Sequence, residues 1–231
     1  MKIEDTNIRQ FIAISDIISL LNMSCGFLSV LSSMNRNFEL AALLMIFAIM
    51  FDSVDGWVAR KTNRHDTLGF GKNIDSLSDV ISFGLAPAIF VYSTINTTST
   101  FIQPIVILIS LFIVICGVLR LTRYNVIADK LNTKDFIGFP IPGISFALST
   151  FYLSGLFNPY IALIMSVIIS LLMICNVKYK KFDNIPLIAI SAILIIILIL
   201  PINLTVSNIN IPAAILLLFC LYYLIINLIK H

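Results

Sequence analysis

The chain has 231 residues, of which 59% are hydrophobic and 12% are charged, and its mean hydropathy is +1.01. Ordinary soluble domains are about 45–50% apolar and about 25% charged, so these values exclude a soluble globular fold. A net charge of +3 is also too small to indicate a nucleic-acid partner. Because the apolar residues form long stretches, we predict an all-α, polytopic integral membrane bundle.

The N-terminal segment has a different pattern from the rest of the chain. Ile8, Phe11 and Ile12 recur at i, i+3 and i+4, with polar residues on the other side. This pattern predicts a short amphipathic helix at the membrane interface. Glu4 and Asp5 stand near the start and no small-residue cleavage site follows, so we expect no cleavable signal peptide.

About eight membrane-spanning helices fit the rest of the sequence, since each crossing needs about 20 apolar residues. The span at 140–157 begins with Pro140 and Pro142, which leaves six or seven spans as alternatives. The predicted spans are roughly 17–34, 38–60, 74–96, 101–122, 140–157, 159–177, 185–202 and 210–229. We expect them to form a single transmembrane domain over residues 1–231.

Positive charge indicates how these spans are oriented. With eight spans, 14 of the 15 Lys and Arg residues fall on one face, and only Arg36 falls on the other. Cytoplasmic loops of membrane proteins carry an excess of Lys and Arg. We therefore expect both termini to be cytoplasmic.

Four aspartates lie in two consecutive predicted spans, Asp52 and Asp55 in the second and Asp75 and Asp79 in the third. Each would cost about 2.5–3.5 kcal/mol at the centre of a membrane helix, so something must pair with or solvate them. Their i, i+3 and i, i+4 spacings place each pair on one helix face. Because consecutive spans are antiparallel, we predict that the four converge near the cytoplasmic face. The alternative is four unrelated carboxylates that reach water at helix ends.

Clustered carboxylates repel one another unless cations lie among them. Oxygen ligands without nearby His or Cys favour Mg²⁺ or Mn²⁺. Gly56 and Ala59 leave space beside the aspartates. The same cytoplasmic end of these two spans carries four basic residues, Arg60, Lys61, Arg64 and Lys72. Metal-binding carboxylates beside basic residues indicate a diphosphate bridged by divalent cations. The alternative is that these basic residues belong only to the general excess of Lys and Arg in cytoplasmic loops and have no role at the site.

The spacing of these residues resembles the signature of the CDP-alcohol phosphatidyltransferases. It reads Asp52-x-x-Asp55-Gly56-x-x-Ala59-Arg60, then ten residues, then Gly71-x-x-x-Asp75-x-x-x-Asp79. The flanking stretches resemble the CDP-diacylglycerol–serine branch of that family, and the resemblance covers about residues 16–145. These stretches are 21–27, 59–63, 75–79, 82–87 and 116–125.

This resemblance implies an activity and a metal site. The phosphatidyl group of a CDP-activated lipid, either CDP-diacylglycerol or an ether-lipid analogue, would pass to the hydroxyl of L-serine, releasing CMP. Two divalent cations would be held by Asp52 and Asp75 jointly, with Asp55 completing one site and Asp79 the other. Asp79 would also be the general base. The catalytic core would span about 16–180, with C-terminal helices at about 185–229, and the protein would be a homodimer.

The resemblance also suggests which residues bind the nucleotide. Gly56 and Ala59 would line the cytidine pocket, and Arg60 would contact the nucleotide phosphate or ribose. Asp16 and Ser19 resemble a polar pair that contacts the nucleotide at the start of the first span. Capping of a helix N-terminus is the alternative role for that pair.

The acceptor pocket is the least defined part of the predicted site. Arg120 and Arg123, at i and i+3 near the end of the fourth span, could bind the serine carboxylate or the lipid phosphate. Extension of both side chains to the interface is the alternative. Ser78, Ser82 and Lys72 are further candidates. Acceptors such as glycerol phosphate or inositol phosphate remain open, as does a divalent-cation transporter.

Overall fold

The computed structural model describes residues 7–8, 11–62, 69–95, 102–127, 136–179, 185–200 and 204–229. These residues are helical apart from short connections and four two-residue strands. The helices are α1 (Ile14–Met34), α2 (Phe38–Lys61), α3 (Phe70–Asp79), α4 (Ala86–Thr94), α5 (Ile102–Ile127), α6 (Pro142–Leu153), α7 (Pro159–Ile174), α8 (Ile185–Ile199) and α9 (Ile211–Ile229). The strands are β1 (Phe136–Ile137), β2 (Lys178–Tyr179), β3 (Thr205–Val206) and β4 (Ile209–Asn210), paired antiparallel as β1–β2 and β3–β4.

The all-α membrane class is confirmed, and each predicted span coincides with a helical segment. Within the described ranges, four segments are long and apolar enough to cross a bilayer: Ile14–Met34, Phe70–Thr94, Ile102–Ile127 and Ile211–Leu228. The number of crossings therefore stays a prediction. Of the interfacial helix the structure describes one turn, in which the amides of Phe11 and Ile12 donate to the Ile8 carbonyl at 3.1 and 3.3 Å. The rest of that prediction, at 1–6 and 9–10, lies outside the described residues.

One face of α1 consists of small and polar residues that are buried against its neighbours. The stripe recurs every three or four residues: Ser15, Ser19, Asn22, Gly26, Ser29 and Ser33. Gly26 allows the closest approach, since a Cβ there would lie 2.4 Å from the hydroxyl oxygen of Ser82. Small residues let helices pack closely in a membrane, where lipid removes the hydrophobic drive between them. This face of α1 thus contacts the segments that carry the four aspartates.

A π-helical segment, Val80–Leu85, joins α3 to α4 directly after Asp79. Pro87 follows this segment by two residues, and proline has no amide hydrogen to donate to the carbonyl four residues earlier. Such widened turns occur frequently at functional sites. The sequence analysis did not predict it, since hydrophobic spacing alone does not separate a π turn from an α turn.

The carboxyl end of α5 is tied to the carboxyl end of α7 by Arg123. Its guanidinium donates to the main-chain carbonyls of Met173 and Ile174 at 2.9 Å, of Cys175 at 3.1 Å, and of Ile137 in β1 at 2.9 Å. Gly138 lies alongside with φ of +82°, and a Cβ there would lie 2.2 Å from the Met173 carbonyl oxygen. The contact therefore places α5, α7 and the β1–β2 pair at one end of the bundle.

Candidate active site

The four aspartates converge as the sequence predicts. Carboxylate oxygens of Asp52, Asp55 and Asp75 all lie within 4.8 Å of one another. The carboxyl groups of Asp52 and Asp79 are in hydrogen-bonding contact. Asp55 and Asp79 are buried, while Asp52 and Asp75 are half-buried. The alternative of four unrelated carboxylates at helix ends is therefore wrong.

Helix α1 supplies neutral hydrogen-bond donors to two members of this aspartate cluster. The Ser19 hydroxyl donates to Asp55 Oδ2 at 2.6 Å, and the Asn22 amide nitrogen donates to Asp79 Oδ1 at 3.3 Å. Because these donors come from the buried polar face of α1, packing of that helix orients the carboxylates. Sequence reasoning placed Ser19 at the nucleotide, and the structure places it against an aspartate.

Asp16 lies one turn before Ser19 and is almost fully buried. Its carboxylate accepts a hydrogen bond from the Ala13 amide at 2.9 Å. This contact satisfies one of the amides that a helix N-terminus leaves open, which is the capping role named as the alternative. The nucleotide contact of Asp16 and Ser19 stays a prediction.

Arg120 is the buried positive charge of the site. It lies on α5, is 6% exposed, and interacts electrostatically with Asp52, Asp75 and Asp79. Its guanidinium also lies over the Tyr124 ring, 5.5 Å from the ring centroid. A buried guanidinium that interacts with three of the four aspartates can bind a phosphate or a substrate carboxylate at the cluster.

The predicted nucleotide residues lie on the turn of α2 that follows Asp55. Arg60 is exposed and interacts electrostatically with Asp55. A Cβ at Gly56 would lie 3.4 Å from Arg60 Nη1, an ordinary van der Waals contact, so the arginine lies directly beside the glycine. Ala59 is half-buried on the same turn.

Two basic residues considered for the acceptor pocket have other contacts. Arg123 donates to carbonyls at the end of α7, which places it in the packing of that helix rather than at the aspartates. Lys72 donates to the Asn125 carbonyl at 2.9 Å, so it binds the carboxyl end of α5. These contacts give both residues partners at helix ends, and their roles in the acceptor pocket stay predictions.

The two serines considered for the acceptor pocket are buried. Ser78 precedes Asp79, and Ser82 lies one turn beyond it in the π-helical segment. The Ser82 hydroxyl donates to the Asn22 carbonyl at 2.9 Å and thereby joins this segment to α1.

Asn22 is the residue at this site that sequence reasoning did not assign. It is fully buried and contacts Asp79 directly. A signal for it was present, because Asn22 continues the stripe of small polar residues through Ser19 and Gly26 in an otherwise apolar span. A buried asparagine inside a predicted membrane helix is itself a functional-site hypothesis.

The comparison with protein families matches residues 12–229 to the CDP-alcohol phosphatidyltransferases. The chain belongs to this family. An archaetidylserine synthase of Methanothermobacter thermautotrophicus is 47% identical over 180 residues, covering 78% of this chain and 75% of the relative. A CDP-diacylglycerol–serine O-phosphatidyltransferase of Methanocaldococcus jannaschii is 38% identical over 226 residues, covering 97% of each. The Bacillus subtilis enzyme of that name is 36% identical over 167 residues, covering 72% and 89%.

Family membership confirms the resemblance on which the sequence prediction rested. The chain is an enzyme, a phosphatidyltransferase, as predicted, and the alternative of a cation transporter is wrong. The aspartates that carry the signature are the ones that the structure gathers at α2 and α3.

Proposed function

We propose that this enzyme transfers the phosphatidyl-type group of a CDP-activated glycerolipid to the hydroxyl of L-serine and releases CMP. The lipid chains are ester- or ether-linked. The similarity to two relatives named for serine, over 78% and 97% of the chain, supports serine as the acceptor.

The observation that carries this proposal is the aspartate cluster on two adjoining helices. Three carboxylates within 4.8 Å of one another, with a fourth in contact, are too negative to face a diphosphate unaided. The donor set is entirely oxygen, and no cysteine or histidine joins it among the described residues, which fits Mg²⁺ or Mn²⁺.

In the proposed site, Asp52 and Asp75 would together hold two divalent cations, with Asp55 completing one site and Asp79 the other. When bound, such cations neutralise the diphosphate and stabilise the leaving CMP. Gly56, Ala59 and Arg60 would receive the nucleotide, with Asp16 and Ser19 near the same end of α1.

Asp79 accepts the proton of the serine hydroxyl as that oxygen attacks the lipid-side phosphorus. The bond from this phosphorus to the bridging oxygen breaks, and CMP leaves with the bonding electrons. Asp79 is suited to the task because it is buried and held by Asn22. Arg120 offsets negative charge of the phosphate or of the serine carboxylate, with Ser78 and Ser82 nearby on the Asp79 segment.

We further propose one transmembrane domain of about eight crossings, with both termini and the active site at the cytoplasmic face. The asymmetry of Lys and Arg supports the orientation, and the family match over 12–229 supports the single domain. In this arrangement residues 16–180 form the catalytic core, and residues 185–229 form two further helices beside it. We also propose that the protein is a homodimer.

The test is CMP release by the purified protein in detergent or lipid nanodiscs. CDP-diacylglycerol and its ether analogue are each supplied with L-serine, glycerol 3-phosphate or inositol phosphate, with Mg²⁺, Mn²⁺ or a chelator. We expect serine-dependent CMP release that the chelator abolishes. Release with a phosphorylated acceptor and not with serine would reassign the acceptor, and release unaffected by the chelator would overturn the metal site.

A further inference from the structure

A cavity of about 330 Å³ lies where the carboxyl ends of α1 and α4 meet the amino end of α5. The aspartate cluster is at the other end of the bundle, where it contacts Ser19 and Asn22 in the first turns of α1. The volume falls within the range of about 300–1,000 Å³ that is typical of ligand pockets. We call this space the Arg36 cavity. Its polar lining residues are Ser33, Arg36, Tyr92, Ser93 and Gln103.

Arg36 occupies a position that ordinarily favours another residue type. It follows Asn35, the C-cap of α1, and has a left-handed backbone with φ of +58°. Glycine or asparagine usually stands at such a helix end, because other side chains crowd the backbone there. Arg36 is also the one basic residue that the charge pattern places on this face of the membrane. A strained residue that also departs from the charge pattern indicates a function.

The hydroxyl of Ser33 is an independent sign of a ligand. Ser33 is fully buried and lines the cavity, and its hydroxyl oxygen has no hydrogen-bond partner among the described residues. Other buried helical serines, such as Ser19 and Ser166, donate to the carbonyl four residues earlier at 3.2 and 2.7 Å. Buried polar groups are normally paired, so a ligand in the cavity would supply the partner that Ser33 lacks.

The chemistry of the lining selects an anion. Arg36 offers five N–H donors and no acceptor, and the Ser33 hydroxyl and the Gln103 amide can each donate as well. Among the described residues that line the cavity, none is acidic. The matching ligand carries negative charge and several acceptor oxygens, as a phosphate group does.

The position of the cavity favours a phosphate that belongs to a lipid. It lies at the shared end of three segments that are long and apolar enough to cross a bilayer, Ile14–Met34, Phe70–Thr94 and Ile102–Ile127. The ends of such segments lie at the level of the lipid headgroups. Met34 lines the cavity and is 67% exposed, and Ile105 on the first turn of α5 is 53% exposed. These apolar side chains give lipid chains a surface beside the polar lining.

We propose that the Arg36 cavity binds the phosphodiester headgroup of a membrane phospholipid from the leaflet opposite the active site. Arg36 neutralises the phosphate charge, and Ser33 and Gln103 donate hydrogen bonds to its oxygens. The bound lipid connects the ends of α1, α4 and α5 and thereby stabilises the folded bundle. This site does not depend on which alcohol accepts the phosphatidyl group.

The experiment is thermal unfolding of the delipidated full-length protein in detergent, titrated with dioleoyl phosphatidylglycerol, dioleoylglycerol or sodium phosphate. We expect phosphatidylglycerol to raise the Tm, since a ligand that binds the folded state stabilises it. Dioleoylglycerol has the same chains without phosphate and should raise it less. An equal rise with dioleoylglycerol would overturn the phosphate assignment. An equal rise with sodium phosphate would overturn the lipid as the source.

Arg36→Asn shows whether the stabilisation arises at this cavity. Asparagine suits the left-handed backbone and removes the guanidinium, so the fold should be kept while the charge is lost. We expect the phosphatidylglycerol concentration for the half-maximal rise in Tm to increase by about 10-fold. An unchanged concentration would overturn the inference.

Ser33→Ala and Ser29→Ala form a matched pair on one face of α1. Ser29 lies one turn before Ser33 and donates to the Ala41 carbonyl at 2.9 Å, and it is not among the residues that line the cavity. We expect Ser29→Ala to lower the Tm of the lipid-free protein and to leave its response to phosphatidylglycerol unchanged. Ser33→Ala should leave the lipid-free Tm unchanged, because no hydrogen bond within the protein is lost, and should weaken lipid binding by about 3-fold to 10-fold. Equal lipid responses in the two variants would contradict the role of Ser33.

Failure of this inference is distinguishable from failure of the proposed function. If the unmodified enzyme releases no CMP with serine, the proposed function fails. If it does release CMP and the Arg36 and Ser33 variants bind phosphatidylglycerol as tightly as the unmodified enzyme, only the lipid site fails.

Discussion

Helices α1 and α9 are both apolar enough to cross a bilayer, yet they bury opposite kinds of residue. The buried positions of α1 are mostly serines together with Asp16, Asn22 and Gly26. Those of α9 are mostly apolar, such as Ala213, Leu216 and Leu217. Lipid is as apolar as either helix surface, so a buried polar face is not needed to keep a helix in the bundle. Its presence on α1 marks the helix that serves the site, and its near absence on α9 marks a supporting helix.

The largest effect expected from this comparison is in Asp79→Asn. The substitution keeps the size of the side chain and removes the base, so kcat should fall by about 100-fold to 10,000-fold. Binding of CDP-lipid should persist because the three other aspartates remain. Steady-state CMP release and equilibrium binding of labelled CDP-lipid measure the two quantities. Turnover near that of the unmodified enzyme would remove Asp79 as the base.

A smaller effect is expected at Arg120. Replacing it by alanine leaves Asp52, Asp75 and Asp79 without the guanidinium that interacts with them, and kcat/KM should fall by about 10-fold to 100-fold. The KM values for serine and for CDP-lipid, measured separately, show which substrate the guanidinium contacts. If neither KM nor kcat changes, the arginine does not belong to the site.

Arg123, three residues along α5, should behave in the opposite way. Arg123→Ala removes hydrogen bonds to three carbonyls at the end of α7 and to one in β1, so we expect a loss of about 2–4 kcal/mol in stability. A thermal-unfolding scan in detergent measures this loss. The serine KM of the folded fraction should stay within about 3-fold, because the interaction lost is structural. A serine KM raised as strongly as in Arg120→Ala would return Arg123 to the acceptor pocket.

These two arginines show what the sequence could and could not predict. The convergence of the four aspartates followed from local helical spacing and from the antiparallel run of α2 and α3. The spacing of Arg120 and Arg123 placed them equally well near the site. What separates them is α7, whose carbonyls lie about fifty positions further along the chain, and local spacing carries no information about that packing. The π-helical segment was also missed. A proline such as Pro87 is compatible with a helix that ends, kinks or widens before it, so the local sequence does not decide between these outcomes.

The smallest effect on catalysis is expected in α9. Leu217 is buried in the main apolar core, and Leu217→Ala should cost about 2–5 kcal/mol of stability through the lost burial and the cavity left behind. Because α9 contributes no residue to the aspartate cluster, the KM values for serine and CDP-lipid, and the kcat corrected for the folded fraction, should not change. Thermal unfolding combined with these kinetic constants separates the two roles. A changed KM in Leu217→Ala would mean that packing in α9 is coupled to the site, and the contrast between α1 and α9 would then be one of composition and not of function.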